Sequence, residues 1–285
     1  MLADEQEEEA LRSEVRSGLE PFLQTISAAR KVALLLDYDG TLAPFHIRRD
    51  QALPYPAVAR VLQEIVRNGR TKVVVITGRD AHELLSLLDI HPRPEIWGVH
   101  GLQRLRPDGA AEVSNLNERT RKGLSEAEGW LNYQQLLHTA EFKPGGIAVH
   151  WRGLGDALAK QLRSRVLLGW RLIAERSGLS LLEFDGGIEI LAPEANKGEA
   201  VRTLLLEIGP DTPVAYLGDD TADEAAFRAI GKRGVSVLVR PEERQTLAQF
   251  WLKPPDEVVE FLELWLRSCA EGTPAERGAA KAVNG

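Results

Sequence analysis

The chain has 285 residues, 44% of them hydrophobic and 27% charged, with a formal net charge of -7. That composition suits a globular protein with a sizeable core, and it excludes a general affinity for nucleic acid or an anionic membrane surface. A single cysteine, Cys269, excludes an internal disulfide framework, and six scattered histidines exclude a zinc site. No apolar run approaches the ~20 residues of a membrane span. The acidic start from Asp4 to Glu9 is the opposite of a secretory leader, so a cytoplasmic protein is expected.

Residues 4–27 predict an amphipathic helix, because Leu11, Val15, Leu19, Phe22 and Ile26 recur at spacings of three or four. The period then changes. Short apolar runs at 32–36, 72–76, 95–99 and 214–217 stop abruptly at Asp37, Thr77, His100 and Gly218, and a fifth follows at 235–239. Such runs read as strands buried on both faces of a mainly parallel sheet. Helical stretches over 56–68, 80–88, 197–207 and 221–230 lie between several of them, which makes the fold class α/β with crossover helices.

Residues 109–190 break that rhythm. A polar helix over about 117–137 precedes a hairpin, 139–143 and 147–152 around Pro144-Gly145-Gly146. A second helix carries the stripe Leu158, Leu162, Val166, Gly169 and Ile173, and a second hairpin, 179–184 and 188–191, turns at Asp185-Gly186-Gly187. The expected organisation is an N-terminal helix at 1–28, a core at 29–108 and 191–266, an inserted α+β cap at 109–190 and a fraying tail from 267. Trp97, Trp130, Trp151, Trp170, Trp251 and Trp265 read as core or hairpin packing residues rather than ligand-stacking platforms.

Ligands of such sheets sit beyond the carboxyl ends of the strands, and nearly every unusual polar cluster lies at such an end. In Asp37-Tyr38-Asp39-Gly40-Thr41, alternation puts the two carboxylates on one side and Tyr38 on the other. A cation or a shared proton would relieve their repulsion, and a hard ion such as Mg²⁺ suits them. One carboxylate can attack phosphorus while the other moves protons; alone, the motif is equally a solvated turn. Thr77-Gly78-Arg79 offers a hydroxyl and N–H groups to phosphate, or simply a helix cap. Lys197 could balance Asp37 or be a surface lysine. Gly218-Asp219-Asp220-Thr221-Ala222-Asp223-Glu224 is a second acidic strand end or an acid-rich first helical turn. Two such ends facing one crevice are explained together by a divalent ion. In the first hairpin, Glu141 and Lys143 share one strand face, and His150 and Arg152 share one face of its partner. This pattern serves ligand hydroxyls or a cross-strand ion ladder alike.

The ordered set DYDGT, TGR, NKG and GDDTADE resembles the four motifs of the haloacid dehalogenase (HAD) superfamily of phosphatases, over nearly the whole chain except its two ends. The segment 36–44, His100-Gly101, Glu141-x-Lys143 to His150-x-Arg152, Glu189 and Asn196-Lys197-Gly198 are similar to the trehalose-6-phosphate phosphatases. The resemblance implies a Rossmann-like core with an inserted cap of the C2 type. It implies Mg²⁺-dependent hydrolysis of trehalose 6-phosphate through an aspartyl phosphate, the last step of trehalose biosynthesis. Asp37 would be the nucleophile and Asp39 the general acid/base, with Thr77 and Lys197 on the phosphate. Asp37, the Asp39 carbonyl and Asp219 would hold Mg²⁺, with Asp220 or Asp223 in support. Glu141, Lys143, Arg152 and Glu189 would face the sugar, with Arg79, His100, Gly101 and His150 also on the substrate side. The sequence departs from the family at Thr77, usually serine, and at Ala222, usually threonine. The alternatives are another sugar phosphate (sucrose phosphate or a glycosyl-phosphoglycerate) and a non-catalytic regulatory domain. The expected partner is a small sugar phosphate, not nucleic acid or membrane.

Overall fold

A computed structural model describes residues 18–184 and 186–271. The main sheet has eight strands: β1 Val32–Leu36, β2 Thr71–Ile76, β3 Glu95–Gly98, β4 Gln103–Leu105, β5 Ala111–Val113, β10 Val214–Gly218, β11 Val235–Val239 and β12 Phe250–Leu252. Their order is β12-β11-β10-β1-β2-β3-β4-β5, parallel from β12 to β3 and antiparallel beyond. β1, β10 and β11 are buried at every residue, as strands covered on both faces must be.

The pleat sorts β1 between two cores. Val32, Leu34 and Leu36 join one cluster with a first helix, α1 (residues 18–28), α2 (Pro56–Asn68), α3 (Ala81–Leu85) and α8 (Asp256–Glu271); Ala33 and Leu35 join the other with α6 (Lys197–Ile208) and α7 (Glu224–Ile230). α2 starts with Pro56 at its first position and stops at Gly69, whose φ of 76° supplies the left-handed C-terminal residue. Of the predicted helix at 4–27, residues 18–28 are helical with Leu19 and Ile26 buried, whereas Leu11 and Val15 lie outside the described residues.

The inserted segment forms a second sheet of β6 (Ala140–Lys143), β7 (Gly146–His150), β8 (Ser180–Phe184) and β9 (Gly187–Leu191), all antiparallel in the order β6-β7-β9-β8. α4 (Glu118–Tyr133) and α5 (Asp156–Ser177) pack on one face around Val149, Ile188 and Trp170. The other face carries Glu141, Ala148, Glu189 and Leu182 in one cross-strand row. This face roofs the C-terminal ends of β1, β2 and β10.

Several details differ from the sequence reading. β5 pairs with β4 and extends the main sheet, so a boundary at 109 falls before it. β4, β5 and β12 have three residues each, too short for a periodic signal. α8 runs on to Glu271, past the expected fraying point at 267, because Trp265, Ser268 and Cys269 are buried on its inner face. Residues 272–285 lie outside the described residues. On α5, Leu158 is exposed, and the stripe is completed by Trp170 instead. Gly169 is required by packing: a Cβ there would stand 2.0 Å from the Trp130 ring. Among the described residues no helix is long and apolar enough to cross a membrane.

Candidate active site

Asp37 directly follows β1, and its N–H donates to the Leu217 carbonyl at 2.8 Å, which ties the first acidic strand end to the second. Lys197, the first residue of α6, enters from the other side. Asn196 caps that helix through the Gly198 N–H at 2.8 Å. Lys197 Nζ then donates to Asp37 Oδ1 at 2.6 Å and to Asp223 Oδ1 at 2.7 Å. Asp223 also accepts from the Tyr216 hydroxyl and from the N–H groups of Asp219 and Asp220, so both its oxygens are engaged. Asp219 is different: it is buried, and its Oδ2 has no hydrogen-bond partner. An orphaned buried carboxylate oxygen is costly and points to something that completes it.

Charge tells the same story. Burial pushes the Asp37 carboxyl up to about 7, Lys197 opposes that rise, and Asp223 and Asp39 add to it. Asp219 is raised well above the carboxylate range by burial and by Asp37, Asp223 and Asp220. Burial works against the Lys197 ammonium, but Asp223 and Asp37 overcome it and push its pKa up. Oxygens of Asp37, Asp219 and Asp223 lie within 4.8 Å of one another. Three carboxylates around one lysine, one of them orphaned, fit a divalent cation bound through oxygen. Asp223 is saturated by its donors and acts as a strut; Asp37 and Asp219 carry the open oxygens. Gly40 makes room for them. Its φ is 82°, and a Cβ there would stand 2.3 Å from Asp219 Oδ2.

Asp39 is held differently. Arg79 Nε and Nη2 donate to its two oxygens at 2.7 Å each, and Arg79 Nη1 donates to the Arg49 carbonyl and to Glu83, both at 2.9 Å. Only 2% of the Arg79 side chain is exposed. Arg79 lines the cleft, as expected of a residue on the substrate side, and its fork fixes Asp39 there.

The roof supplies a balanced set of charges. Lys143 Nζ lies 2.7 Å from Glu189 Oε1 and donates to the Gly78 carbonyl at 2.9 Å, so it links the second sheet to the core. His100 Nε2 meets Glu189 Oε2 at 3.1 Å. Burial alone would raise Glu189, but Lys143 and His100 hold it at about 2. His150 Nε2 meets Glu141 Oε2 at 2.8 Å, and burial together with Arg49 and Lys143 lowers His150 to about 4. Arg152 packs its guanidinium on Phe45, 4.7 Å from the ring centre. Val99 and His100 have φ values of 47° and 54°. Two successive non-glycine residues in the left-handed region store strain, and here that backbone turns the His100 ring toward Glu189.

Floor and roof line one cleft between them. Asp37, Asp39, Lys197, Asp219 and Asp220 line it from below; Lys143, His150, Arg152 and Glu189 line it from above. Three expected ligands of the substrate, Thr77, Gly101 and Glu141, are not among the residues that line the cleft. Thr77 is fully buried and does not line the cleft; its hydroxyl accepts the Arg79 N–H at 3.1 Å. Gly101 has a φ of 104°, and a Cβ there would stand 2.9 Å from Ala200, so this glycine lets α6 approach. Asp220 lines the cleft and caps Thr221 N–H at 2.7 Å. The Thr221 hydroxyl donates to the Glu183 carbonyl at 3.2 Å and so does not replace the one missing at Ala222, which lines the cleft. The sequence reading missed Phe45, Arg49, Leu182 and Phe184, which also line it. Alternation on β8 puts Leu182 and Phe184 on one face and could have exposed them; the loop bearing Phe45 and Arg49 has no periodicity to read.

The family model for trehalose-phosphatase matches residues 35–256. A Mycobacterium tuberculosis protein called an uncharacterized glycosyl hydrolase is 31% identical over 84% of this chain, which spans only 18% of that protein. Trehalose-phosphate phosphatase B of Arabidopsis thaliana is 29% identical over 87% of this chain and 70% of its own length. The trehalose-phosphate phosphatase of Mycobacterium marinum is 30% identical over 80% of this chain and 60% of its own. Among solved structures, Aspergillus fumigatus trehalose-6-phosphate phosphatase aligns at 26% identity with a TM-score of 0.60, over 86% of this chain and 96% of the other. The C-terminal domain of the Candida albicans enzyme shares the fold at a TM-score of 0.73 and 20% identity, over 87% and 96% of the two chains.

Proposed function

This chain belongs to the trehalose-phosphatase family of HAD phosphatases, and we propose that it hydrolyses trehalose 6-phosphate to trehalose and phosphate through an aspartyl phosphate on Asp37. The observation that carries this reading is the bridge from Lys197 to Asp37 and Asp223 beside the unpartnered oxygen of Asp219.

In the first step, an Asp37 oxygen forms a bond to phosphorus as the bond to the sugar oxygen breaks, and Asp39 gives that departing oxygen a proton. In the second, Asp39 takes a proton from a water that attacks the phosphoryl group, and Asp37 leaves as carboxylate. Lys197 offsets charge on the phosphoryl oxygens without needing to reorganise, since two carboxylates already hold it in place. Arg79 keeps Asp39 within reach of the leaving oxygen. Asp37 and Asp219 would hold Mg²⁺, with the Asp39 carbonyl completing the set and Asp220 and Asp223 in support. When bound, the ion would neutralise the carboxylate cluster and polarise a phosphoryl oxygen.

The roof is suited to the sugar. Lys143, Arg152 and Glu189 offer charged donors and acceptors to hydroxyls, with Glu141 beside Lys143, and Phe45, Leu182 and Phe184 offer apolar walls to the C–H faces of a pyranose. The cytoplasmic location expected from the sequence belongs to the same proposal. The test is phosphate release from trehalose 6-phosphate against sucrose 6-phosphate, glucosyl-phosphoglycerate and glucose 6-phosphate. A preference of at least about 100-fold for trehalose 6-phosphate is expected of a site built to hydrogen-bond particular hydroxyls. Equal rates on all four would leave a general sugar phosphatase.

A further inference from the structure

One charged residue of the cleft has no part in the scheme above. Arg49 begins the short 3₁₀ turn Arg49–Gln51, in the loop that runs from Asp39 to α2, and 25% of its side chain is exposed. Its Nη1 pairs with Oε2 of Glu141 on the roof. Its Nη2 lies 3.6 Å from Oε2 of Glu83 in the core. Its backbone carbonyl accepts Arg79 Nη1 at 2.9 Å, and Arg79 in turn grips Asp39. A single residue thus joins the roof to the group of side chains that fixes Asp39.

We propose that Arg49 is a positioning residue that clamps the cap over the cleft and sets the Glu141 carboxylate for the sugar. Glu141 Oε2 is taken up by Arg49 and His150, while Oε1 lies 4.0 Å from Lys143. Arg49 therefore fixes the side chain by one oxygen and leaves the other toward Lys143, which lines the cleft. A guanidinium suits this task because its planar fork can reach two carboxylates at once, Glu83 in the core and Glu141 in the cap; an ammonium is a point charge. Ordering Glu141 and the cap before substrate arrives reduces the entropy lost on binding, so the contribution of Arg49 falls on ground-state affinity.

The inference rests on trehalose 6-phosphate being the substrate, and its test separates the two. Arg49→Met keeps the length of the side chain and removes the charge. KM for trehalose 6-phosphate should rise roughly 10- to 100-fold, the worth of a charge-assisted contact, while kcat falls by less than about 3-fold, because the bound disaccharide itself bridges floor and roof. A variant that merely folds poorly would lose kcat with its active fraction and keep its KM. Arg49→Lys should recover part of the loss. If Arg49 acts through Glu141, the double variant Arg49→Met/Glu141→Gln should have the KM of Glu141→Gln alone. Small-angle scattering without substrate should show Arg49→Met more extended than the wild type. An unchanged KM, additive losses in the double variant, or identical scattering would each overturn the clamp. A wild type that does not release phosphate from trehalose 6-phosphate would instead defeat the proposed substrate, and the scattering comparison would still decide whether Arg49 holds the cap.

Discussion

On the floor of the cleft, three buried carboxylates, Asp37, Asp219 and Asp223, share one lysine; on the roof, Glu141 and Glu189 are met by Arg49, Lys143, His100 and His150. The consequence is opposite in sign. Asp37 is pushed up to about 7 and Asp219 above the carboxylate range, whereas Glu189 is held at about 2. Burial is comparable, so the number of opposing charges decides. On the proposed function, a floor short of positive charge suits a cation and a phosphate, and a roof whose charges are already paired suits hydrogen bonds with neutral hydroxyls. The comparison assigns chemistry to one side and selection to the other.

The largest effect should come from the floor. Asp37→Asn removes the proposed nucleophile and keeps its shape, so turnover should fall by roughly 10⁴-fold or more, with the fold retained by circular dichroism. Because the change also removes one of the crowded charges, its melting temperature without metal should not fall below that of the wild type.

Chelation comes next. Stripping divalent ions should abolish phosphate release, and Mg²⁺ should restore it. Added Mg²⁺ should also raise the melting temperature of the wild type, since a ligand that binds only the folded state stabilises it. Asp219→Ala should lose both responses. A metal-stripped sample with full activity would end the comparison, because the floor would then need no cation.

Roof substitutions should act on choice of substrate. Lys143→Ala leaves Glu189 buried with one cation fewer, and it should cut the preference for trehalose 6-phosphate over p-nitrophenyl phosphate roughly 10- to 100-fold. A loss equal on the two substrates would mean that the roof also serves the chemical step.

The smallest effect is one of pH, and its sign should differ between the two sides. Asp37 has a folded pKa of about 7 against an ordinary 3.8, so the folded state binds more protons. In chelator, that contribution to stability is complete below pH 3.8 and is lost as pH rises through about 7; Mg²⁺ should remove the loss. His150 has a folded pKa of about 4 against an ordinary 6.5, so the unfolded chain binds more protons. Its contribution is present above pH 6.5 and is lost as pH falls toward 4. His150→Gln should flatten the acid side of the stability profile, and Asp37→Asn the alkaline side in chelator. Thermal melts across pH 4 to 8 would read both.

Much of the floor was legible in the sequence, because strand ends, glycines and acids fall within a few residues of one another. Asp37, Gly40, Lys197 and Asp219 converge where a parallel sheet puts its ligands. Local sequence could not rank the four acids of 219–224. Three-dimensional partners do so: Asp219 keeps an open oxygen, Asp220 caps a turn, Asp223 is saturated, and Glu224 pairs with Arg244. The grip of Arg79 on Asp39 was not readable, because the two residues are forty positions apart. The roof was readable as alternating strands, but Arg49 was not, since a loop carries no period and its two acidic partners come from α3 and β6. The three-residue strands β4, β5 and β12 escaped for a related reason: they are defined by pairing with a neighbour, not by a pattern of their own.

The most direct measurement is phosphate release from trehalose 6-phosphate by the wild type and by Asp37→Asn, each with Mg²⁺ and with chelator. Release is expected from the wild type with Mg²⁺, and only residual rates from the other three samples. Comparable release by Asp37→Asn with Mg²⁺, or by the wild type in chelator, would contradict that expectation.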